Sequence, residues 1–282
     1  MSITILEGDK MNQSDPYLLG YRPAEQERLE RQALELAHES SWLFDQIGIR
    51  PGSRVVEIGC GPRGCLALLS ERVGANGKVI GVERSAEQVE RARKFVADSH
   101  LTNVEVLCVD ARETGLPEAS FDLATARLVL VNVPKPEMLV KEMVRLVRPG
   151  GVIALHEPDS TTQRYDPPLP AQTRLLQILN TYAEMNDIDR TIGLKLPRML
   201  RAAGLVDIRV NPSVHIYPPG HGRRTLLLEF VENARSRILE KNLIGKVELD
   251  DLTAALKNHL ADPETLVLSS VFIQEWGRIP NQ

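Results

Sequence analysis

The hydrophobic positions of this chain fall into two alternating patterns. Short continuous apolar runs predict buried strands, and apolar residues spaced three or four apart predict helices that bury one face. Five strands are predicted, at residues 55–58, 78–82, 104–109, 121–126 and 152–155. Strands that alternate with helices form a parallel sheet with helices on both of its faces. The pattern therefore predicts an α/β fold.

The segments on either side of this pattern are predicted to be mostly helical. Residues 23–47 are charged with one apolar face, which predicts a helix. After residue 155, helices are predicted at 170–186, 194–203, 223–241 and 249–260, and strands at 205–210 and 266–276. We expect residues 1–48 to be an N-terminal helical segment that packs over a ligand site, and residues 49–282 to be the main domain. Helical insertions at about 159–188 and 219–262 are expected to form a cap over a substrate.

The first predicted strand runs into a glycine-rich turn. Residues 53–64 read SRVVEIGCGPRG, so Gly59, Cys60 and Gly61 follow the strand directly. Glycine permits left-handed backbone angles and lets a ligand approach bare main chain. The helix after the turn directs free N–H groups toward such a ligand. This stretch is typical of a site that cradles a nucleotide.

Charged residues stand at the ends of the predicted strands. Because the carboxyl ends of parallel strands meet at one rim, we expect Gly59, Glu83, Asp110 and Arg127 to line one crevice. An acid in the position of Glu83 can accept hydrogen bonds from both hydroxyls of a ribose. Asp110 can accept one from an adenine amino group. Glu57, just before the glycines, can hold a cationic amino group directly or through water.

These features narrow the class of ligand. Pro62 stands in the turn where a dinucleotide site needs close main-chain access to a pyrophosphate. Acids at the ends of the second and third strands suit a ligand that has a ribose and an adenine but no phosphates. The residues therefore favour S-adenosylmethionine as the cofactor. Two alternatives remain open: an NAD-dependent oxidoreductase, and a cofactor-binding protein or catalyst that does not methylate.

Four segments carry a family resemblance. VVEIGCGPRG, GVERS, VDARETGLPEASFDLATARLVL and MVRLVRPGGVIALHEP occur in this order. Together they resemble the class I S-adenosylmethionine-dependent methyltransferases over about residues 49–210, especially the branch with the ubiquinone and menaquinone C-methyltransferases. The resemblance implies a Rossmann-like fold with a seven-stranded, mostly parallel sheet whose last strand is antiparallel. The family's final strands usually form a hairpin, whereas this chain inserts about 40 mostly helical residues between them.

The resemblance also implies roles for individual residues. In the family, the glycine turn approaches the methionine part of the cofactor, the acid after the second strand binds the ribose, and the Asp-Ala pair after the third strand contacts the adenine. The matching residues are Glu57, Gly59, Cys60 and Gly61 for the first role, Glu83 with Arg84 for the second, and Asp110 with Ala111 for the third. Arg127 is expected to pair with the carboxylate of the cofactor. In the N-terminal segment, Tyr17, Tyr21 and Gln32 are further candidates for ligand contact.

The expected reaction is methyl transfer to a small-molecule metabolite, with an O, N or C atom as the acceptor. A sulfonium is already an activated methyl donor, so holding the acceptor in line at about 3 to 3.5 Å supplies much of the rate enhancement. Some acceptors also need a general base. The candidates are His156 and Glu157, with Asp159, His215 and His221 as alternatives.

Composition limits the remaining possibilities. A formal charge of −4, a pI near 5.9 and no long Lys/Arg block predict that no nucleic acid is bound. No apolar run reaches the roughly 18 to 20 residues that span a bilayer, and residues 1–10 lack a signal-peptide pattern, so we expect a cytoplasmic protein without a membrane partner. The histidines show no ligand spacing, which predicts no metal site. Cys60, Cys65 and Cys108 are expected to be buried and reduced, and monomer and homodimer both remain open.

Overall fold

The computed structural model describes residues 23–281, with the side chains of residues 25–281. The helices of this range are α1 (Pro23–Glu35), α2 (Ala37–Ile47), α3 (Leu66–Val73), α4 (Ala86–Asp98), α5 (Glu137–Leu146), α6 (Pro170–Glu184), α7 (Leu196–Ala202), α8 (Leu226–Glu240) and α9 (Lys246–Ala261). The strands are β1 (Arg54–Ile58), β2 (Lys78–Glu83), β3 (Val104–Cys108), β4 (Phe121–Arg127), β5 (Val147–Asp159), β6 (Arg164–Asp166), β7 (Val206–Ser213), β8 (Leu266–Leu268) and β9 (Val271–Arg278). None of these helices is long and apolar enough to cross a membrane.

Seven strands form the main sheet, in the order β3-β2-β1-β4-β5-β9-β7. Strands β1 to β5 are parallel, and β9 lies antiparallel between β5 and β7. The chain moves outward from β1 to β3 and then returns to β4 on the other side of β1. The carboxyl ends of β1 and β4 therefore lie at the point where the strand order reverses, which is where α/β sheets bind ligands. The predicted seven-stranded, mostly parallel sheet with an antiparallel last strand is confirmed.

The continuous apolar runs of the central strands reflect burial on both faces of the sheet. Val55 and Leu123 belong to a core layer with α2, α3 and α4, whereas Val56 and Ala124 belong to a layer with α5 and α7. Successive side chains of a strand point to opposite faces, so a strand covered on both sides needs apolar residues at consecutive positions. This is why β1 shows no alternation of polar and apolar residues.

A separate group of elements, which we call the cap, consists of α6, α8, α9, β6 and β8. The cap has its own hydrophobic core, which includes Leu175, Leu179, Tyr182, Leu227, Val231, Ile238, Leu249, Leu256 and Val267. Strands β6 and β8 pair with each other in an antiparallel two-stranded sheet. The three cap helices lie within the predicted insertions, whereas β6 falls in a segment for which the sequence pattern predicts no strand.

The apolar run at 266–276 is predicted as one strand, and this prediction is wrong. The run breaks at Ser269 and Ser270, so that β8 pairs with β6 in the cap while β9 enters the main sheet. Ser269 Oγ accepts the His215 N–H at 2.9 Å and donates to the Ser270 carbonyl at 2.6 Å. Hydrophobic periodicity could not reveal the break, because both halves are apolar and differ only in the strands they pair with.

The helix predicted at 23–47 is also two helices, α1 and α2, which meet at Leu36. The Leu36 carbonyl accepts a hydrogen bond from Arg127 Nη1 at 3.3 Å, and Ser40 Oγ accepts one from the same nitrogen at 2.8 Å. On its other side, α1 contacts α8, because Asn233 Nδ2 donates to Glu25 Oε2 at 3.2 Å. The N-terminal helices are therefore held between the end of β4 and the cap.

The cysteines differ in their surroundings. Cys60 and Cys65 are buried, whereas Cys108 is exposed. The expectation that all three thiols are buried is therefore wrong for Cys108. The reason is that β3, which ends at Cys108, is an edge strand of the sheet.

Candidate functional site

A cavity lies at the carboxyl ends of β1 to β4, and we call it the rim cavity. It encloses about 1080 Å³, part of it open to solvent. Gly59, Glu83, Asp110 and Arg127, which are expected to share one crevice, all line it. The other predicted cofactor residues on its walls are Gln32, Glu57, Cys60, Gly61, Arg84 and Ala111. Tyr17 and Tyr21 lie outside the described residues.

The glycine turn after β1 forms a wall of bare main chain. Gly59, Gly61 and Gly64 have φ angles of +65°, +56° and +51°, in the region that favours glycine. A Cβ on Gly59 would lie 2.6 Å from Val129 Cγ2, and a Cβ on Gly64 would lie 2.7 Å from both carboxylate oxygens of Glu57. Larger residues at these two positions are therefore disfavoured by backbone conformation and by contact.

Glu57 is a buried wall residue of the rim cavity. Its two carboxylate oxygens accept the N–H of Cys65, at 2.8 and 3.0 Å. Burial raises the pKa of Glu57 to about 7, although the nearby Arg127 guanidinium and the Cys65 N–H act in the opposite direction. A carboxylate can accept about four hydrogen bonds, so acceptor positions remain. A cationic group in the cavity would therefore find a partner at Glu57.

The acids after β2 and β3 are held by neighbouring donors. Glu83 Oε1 accepts the N–H groups of the next two residues, both at 2.9 Å, and Glu83 Oε2 accepts the Gly61 N–H at 3.2 Å. Asp110 Oδ2 accepts a hydrogen bond from Arg112 Nη2 at 2.6 Å. This contact holds the pKa of Asp110 below its usual range. Both acids thus present carboxylate oxygens whose positions are fixed by local contacts.

Arg127, at the end of β4, joins the rim to the N-terminal helices. Its guanidinium donates to Ser40 Oγ on α2 at 2.8 Å and to the Gly64 carbonyl of the glycine turn at 3.4 Å. Gln32 of α1 also lines the rim cavity, and its Oε1 accepts a hydrogen bond from Arg28 Nη1 at 2.7 Å. The helix α1 therefore supplies part of the wall opposite the sheet.

A second cavity lies between the sheet and the cap, and we call it the cap cavity. It encloses about 940 Å³, part of it open to solvent. Leu29, Gln32, Leu128 and Asn132 line both cavities, so the two cavities share a wall. The other walls are mostly apolar, with residues that include Leu176, Leu179, Leu227, Phe230 and Phe272. The charged residues on its walls are Arg28, Arg190 and Arg223.

Glu157 fixes the turn that follows β4. Its Oε1 accepts the N–H groups of Val129 and Leu130, both at 2.9 Å, and its Oε2 accepts the Val131 N–H at 3.2 Å. Burial raises the pKa of Glu157 to about 7. Leu128, at the start of this turn, has a φ of +58°, which is uncommon for a residue with a side chain. Glu157 thus supports the strained turn that separates the two cavities, and it lines neither of them.

His156 is also buried outside the walls of the two cavities. Its ring lies against Phe272, a wall residue of the cap cavity, with the ring centroids 5.6 Å apart. Within residues 23–281, neither of its ring nitrogens has a hydrogen-bond partner. Burial, with the nearby Arg127 and Arg223, lowers the pKa of His156 to about 3, so the imidazole is neutral at neutral pH. A catalytic role for His156 or Glu157 stays a prediction.

Several wall residues of the cap cavity are not singled out by the sequence pattern. Arg28 lies on a charged helix, Arg190 in a loop, and Arg223 in the stretch GHGRR before α8. Nothing in their spacing indicates that they meet. The adjacent arginines 223 and 224 are the one local signal, but the sequence does not say which of the two faces a cavity.

Comparisons with known proteins agree with this geometry. Residues 56–155 match a family model described as a methyltransferase domain. The chain is 28% identical over 180 residues to a demethylmenaquinone methyltransferase of Geobacillus stearothermophilus, a match that covers 59% of this chain and 76% of that protein. It is 32% identical over 178 residues to an uncharacterized 37.1 kDa transposon protein of Streptomyces fradiae, covering 63% of this chain and 50% of that protein. The chain therefore matches only half the length of the second relative.

The fold is similar to that of solved methyltransferases. Phosphoethanolamine N-methyltransferase 2 of Haemonchus contortus, solved with phosphomonomethylethanolamine and S-adenosylhomocysteine, superposes with a TM-score of 0.56 at 18% identity. This match covers 87% of this chain and 53% of that chain. The comparisons thus show a methyltransferase domain at residues 56–155, a sequence similarity to demethylmenaquinone methyltransferases, and the fold of solved S-adenosylmethionine-dependent methyltransferases. The methyltransferase interpretation of the sequence is confirmed.

The rim cavity fits S-adenosylmethionine as its cofactor. Gly59, Gly61 and Gly64 line the cavity without side chains, so a ligand can lie against the main chain there. The buried Glu57 suits the cationic part of this cofactor, and the carboxylates of Glu83 and Asp110 suit the hydroxyl and amino donors of an adenosine. The wall residues therefore suit the charged amino group and the adenosine of this cofactor.

Proposed function

We propose that this chain transfers a methyl group from S-adenosylmethionine in the rim cavity to a small-molecule metabolite in the cap cavity. The observation that carries this proposal is the wall that the two cavities share, which consists of Leu29, Gln32, Leu128 and Asn132. Donor and acceptor must approach in line to about 3 to 3.5 Å, which two adjoining cavities permit. An O, N or C atom can serve as the acceptor in this arrangement.

The cofactor contacts that we propose follow the walls of the rim cavity. Each one joins a polar part of the cofactor to a group of suitable charge at a strand end. They are Glu57 with the amino group, Gly59, Cys60 and Gly61 with the methionine chain, Arg127 with the carboxylate, Glu83 and Arg84 with the ribose, and Asp110 and Ala111 with the adenine.

When bound, S-adenosylmethionine would supply an activated methyl group, with S-adenosylhomocysteine as the leaving group. The chain's own contribution is to orient the acceptor and to exclude water. Leu29 and Leu128 are apolar side chains of the shared wall and keep water from it. Gln32 and Asn132 are polar side chains there, and their amide groups orient the acceptor.

The domain division expected from the sequence becomes part of the same proposal. The N-terminal segment, residues 1–48, closes the site because α1 contributes Leu29 and Gln32 to both cavities. In the main domain, residues 49–282, the insertions at about 159–188 and 219–262 form the substrate cap, since Leu179 of α6 and Leu227 of α8 line the cap cavity. The net charge of −4 argues against a nucleic-acid substrate.

We assign a positioning role to Glu157 in place of a base. Its two oxygens accept three backbone N–H groups of the turn after Leu128, so the carboxylate stabilises the cavity wall from behind. The neutral ring of His156 lies against Phe272 and outside the cavity walls. A proton released by an O- or N-acceptor therefore leaves to solvent through the open side of the cap cavity in this proposal.

The test is incubation with S-adenosylmethionine labelled in its methyl group. The protein is mixed with a fractionated metabolite extract and, separately, with hydroxylated naphthoquinols and phenols as trial acceptors. We expect a labelled small-molecule product and an equal amount of S-adenosylhomocysteine. Tight cofactor binding without a labelled product from any acceptor would reject methyl transfer and favour a cofactor-binding protein or a non-methylating catalyst.

A further inference from the structure

The cap cavity holds two buried arginines whose guanidiniums have no ion-pair partner among the described side chains, residues 25–281. Arg223 is 5% exposed and Arg190 is 8% exposed, and both line the cavity. The Arg223 Nε and Nη1 atoms are buried without a hydrogen-bond partner among residues 25–281. In the same part of the chain, neither guanidinium forms an ion pair within 4.0 Å. A guanidinium stays charged at physiological pH, so these are buried cations.

The surroundings of Arg223 compensate its charge only in part. Its guanidinium carbon lies 5.2 Å from the Phe272 ring centroid and 5.8 Å from that of Tyr217. Such cation–π contacts attract a cation, but an aromatic ring offers no oxygen to the N–H donors. Glu35 is a carboxylate whose charge acts on Arg223, but it already pairs with Arg31 at 3.6 Å. Burial accordingly lowers the pKa of Arg223.

The surroundings of Arg190 are similar. Asp159 is the acid whose charge acts on Arg190, but Asp159 Oδ1 accepts the N–H and the hydroxyl of Thr161, at 3.0 and 2.6 Å. Burial lowers the pKa of Arg190 to about 10. Proteins normally pair buried charges, because an isolated one is costly. Two unpaired guanidiniums on the walls of one cavity therefore point to a ligand that brings the negative charge.

The third arginine of the cavity provides a contrast. Arg28 binds Glu25 through two hydrogen bonds of 2.7 and 2.8 Å and also donates to Gln32. Its charge is therefore compensated within the chain. The apolar walls formed by Leu176 and Phe230, with others, add a surface for the rest of a ligand.

We propose that the acceptor is a small anionic molecule, with a carboxylate or another oxyanion that pairs with Arg223, with Arg190 adding positive charge to the wall of the same cavity, and with an apolar body that packs against the cap helices. The guanidinium fork matches a carboxylate in two-point hydrogen bonding. The walls shared with the rim cavity set the direction of the acceptor, since an anionic end held at the arginines leaves the other end free to reach Leu128 and Asn132. This inference rests on the proposed function, in that the cap cavity holds the acceptor.

Binding can be tested without activity. We would measure the calorimetric affinity of 3-phenylpropanoate, its neutral amide and 3-phenylpropylamine, with S-adenosylhomocysteine present. We expect the carboxylate to bind about tenfold or more tightly than the amide, and the amine to bind more weakly than either. Equal affinities, tighter binding of the amine, or no binding of any of the three would overturn the proposal.

Variants distinguish a ligand site from a structural arginine. In Arg223→Met, the preference for the carboxylate should disappear while the melting temperature stays the same or rises, because the native charge has no partner in the folded chain. Arg223→Lys should keep part of the preference, and Arg93→Met, a change of a half-exposed arginine on α4 that lines neither cavity, should keep all of it. An undiminished preference in Arg223→Met overturns the assignment. If that variant does not fold, Arg190→Met decides in the same assay.

The outcome for the anion site and that for methyl transfer can be separated. A retained carboxylate preference without any labelled methyl product rejects the proposed function and leaves the anion site standing. Methylation of a neutral acceptor at the same rate by the native protein and by Arg223→Met rejects the anion site and leaves methyl transfer standing.

Discussion

Charged side chains of the rim cavity have hydrogen-bond partners within the chain, whereas two of those in the cap cavity have none within residues 25–281. On the rim, Glu83 and Asp110 receive hydrogen bonds from neighbouring residues, and Arg127 donates to Ser40. In the cap cavity, Arg190 and Arg223 have no such partner within residues 25–281. The rim is therefore pre-organised for its ligand, whereas the cap cavity carries an uncompensated charge. The comparison teaches that the charges of the rim are balanced within the described chain, whereas the cap cavity, the proposed acceptor site, has buried positive charge left for a ligand to balance.

The sharpest test of this comparison uses two adjacent arginines. Arg224 is buried, and its guanidinium donates to the carbonyls of Tyr217, Leu260, Asp262 and Thr265 at 2.8 to 2.9 Å. We expect Arg224→Leu to lower the free energy of unfolding by about 3 kcal/mol or more, because four carbonyls lose a charged donor. Urea denaturation measures this change.

The matched control is the same substitution one residue earlier. Arg223→Leu removes a buried cation without a hydrogen-bonded partner, so we expect unfolding free energy to stay within about 0.5 kcal/mol or to increase. Similar large losses in both variants would show that Arg223 is structural and would remove the contrast between the cavities.

The next effect concerns the rim. We expect Glu83→Ala to weaken S-adenosylmethionine binding by about 1 to 3 kcal/mol, since hydrogen bonds to a charged group are lost. The measurement is calorimetric titration with the cofactor. Glu90→Ala changes an exposed glutamate of α4 and should leave the affinity unchanged. Unchanged affinity in Glu83→Ala would remove Glu83 from the site. Carboxylate probes should still bind to the cap cavity of this variant.

A smaller effect is expected at the glycine cradle. In Gly59→Ala, the new Cβ meets Val129 Cγ2 at 2.6 Å and the φ of +65° is unfavourable, so we expect a loss of about 1 to 2 kcal/mol in stability together with weaker cofactor binding. Gly48→Ala is the control, because Gly48 has a φ of +72° and nothing within 4 Å of its Cβ position. Urea denaturation measures the stability of both variants, and calorimetry measures their cofactor affinity. The difference between the two variants gives the effect of the contact between the new Cβ and Val129, because both positions share the unfavourable backbone angle. Equal losses would mean that only the backbone angle matters.

The smallest effect is a proton released on cofactor binding. Burial raises the pKa of Glu57 to about 7, so this carboxyl group is mostly protonated at about pH 6 in the free protein. A cationic amino group beside it favours the ionised form and lowers that pKa. Binding at about pH 6 should therefore release close to one proton, and affinity should fall as the pH drops below about 7.

Calorimetry in buffers of different ionisation enthalpy measures the proton. An α-amino group is already protonated at about pH 6, so the release reports on the protein carboxylate. Glu57→Gln is the control and should show no release. If the native protein releases no proton, the amino group of the cofactor does not bind beside Glu57.

Local patterns in the sequence were sufficient to predict most of the strands and helices and the charged residues of the rim cavity. The predicted alternation of strands and helices is present, with α4 between β2 and β3, and Ser85 caps α4 by accepting a hydrogen bond from the Gln88 N–H. Glu83 and Asp110 could be identified because a parallel sheet places every strand end at the same rim. The bonds that hold Glu83 come from the residues directly after it and from the glycine turn.

Contacts between distant segments could not be predicted in this way. The apolar run at 266–276 divides between two sheets, and Glu157 turns out to hold the backbone of residues 129–131. In both cases the residue types fit the prediction, but the partner was decided by segments far away in the chain. Periodicity reports which face of an element is buried and does not report what covers that face.

The sequence by itself determined the parallel sheet, the glycine turn and the strand-end acids, because each depends on residues that are neighbours in the chain or on the rule that joins parallel strands. Only the tertiary structure decided which of two adjacent arginines is structural and which faces a cavity. Arg223 and Arg224 have the same chemistry, and they differ in the carbonyls that Tyr217, α9 and the loop after α9 bring to Arg224. The acceptor side of the site is therefore a product of packing between the cap and the sheet.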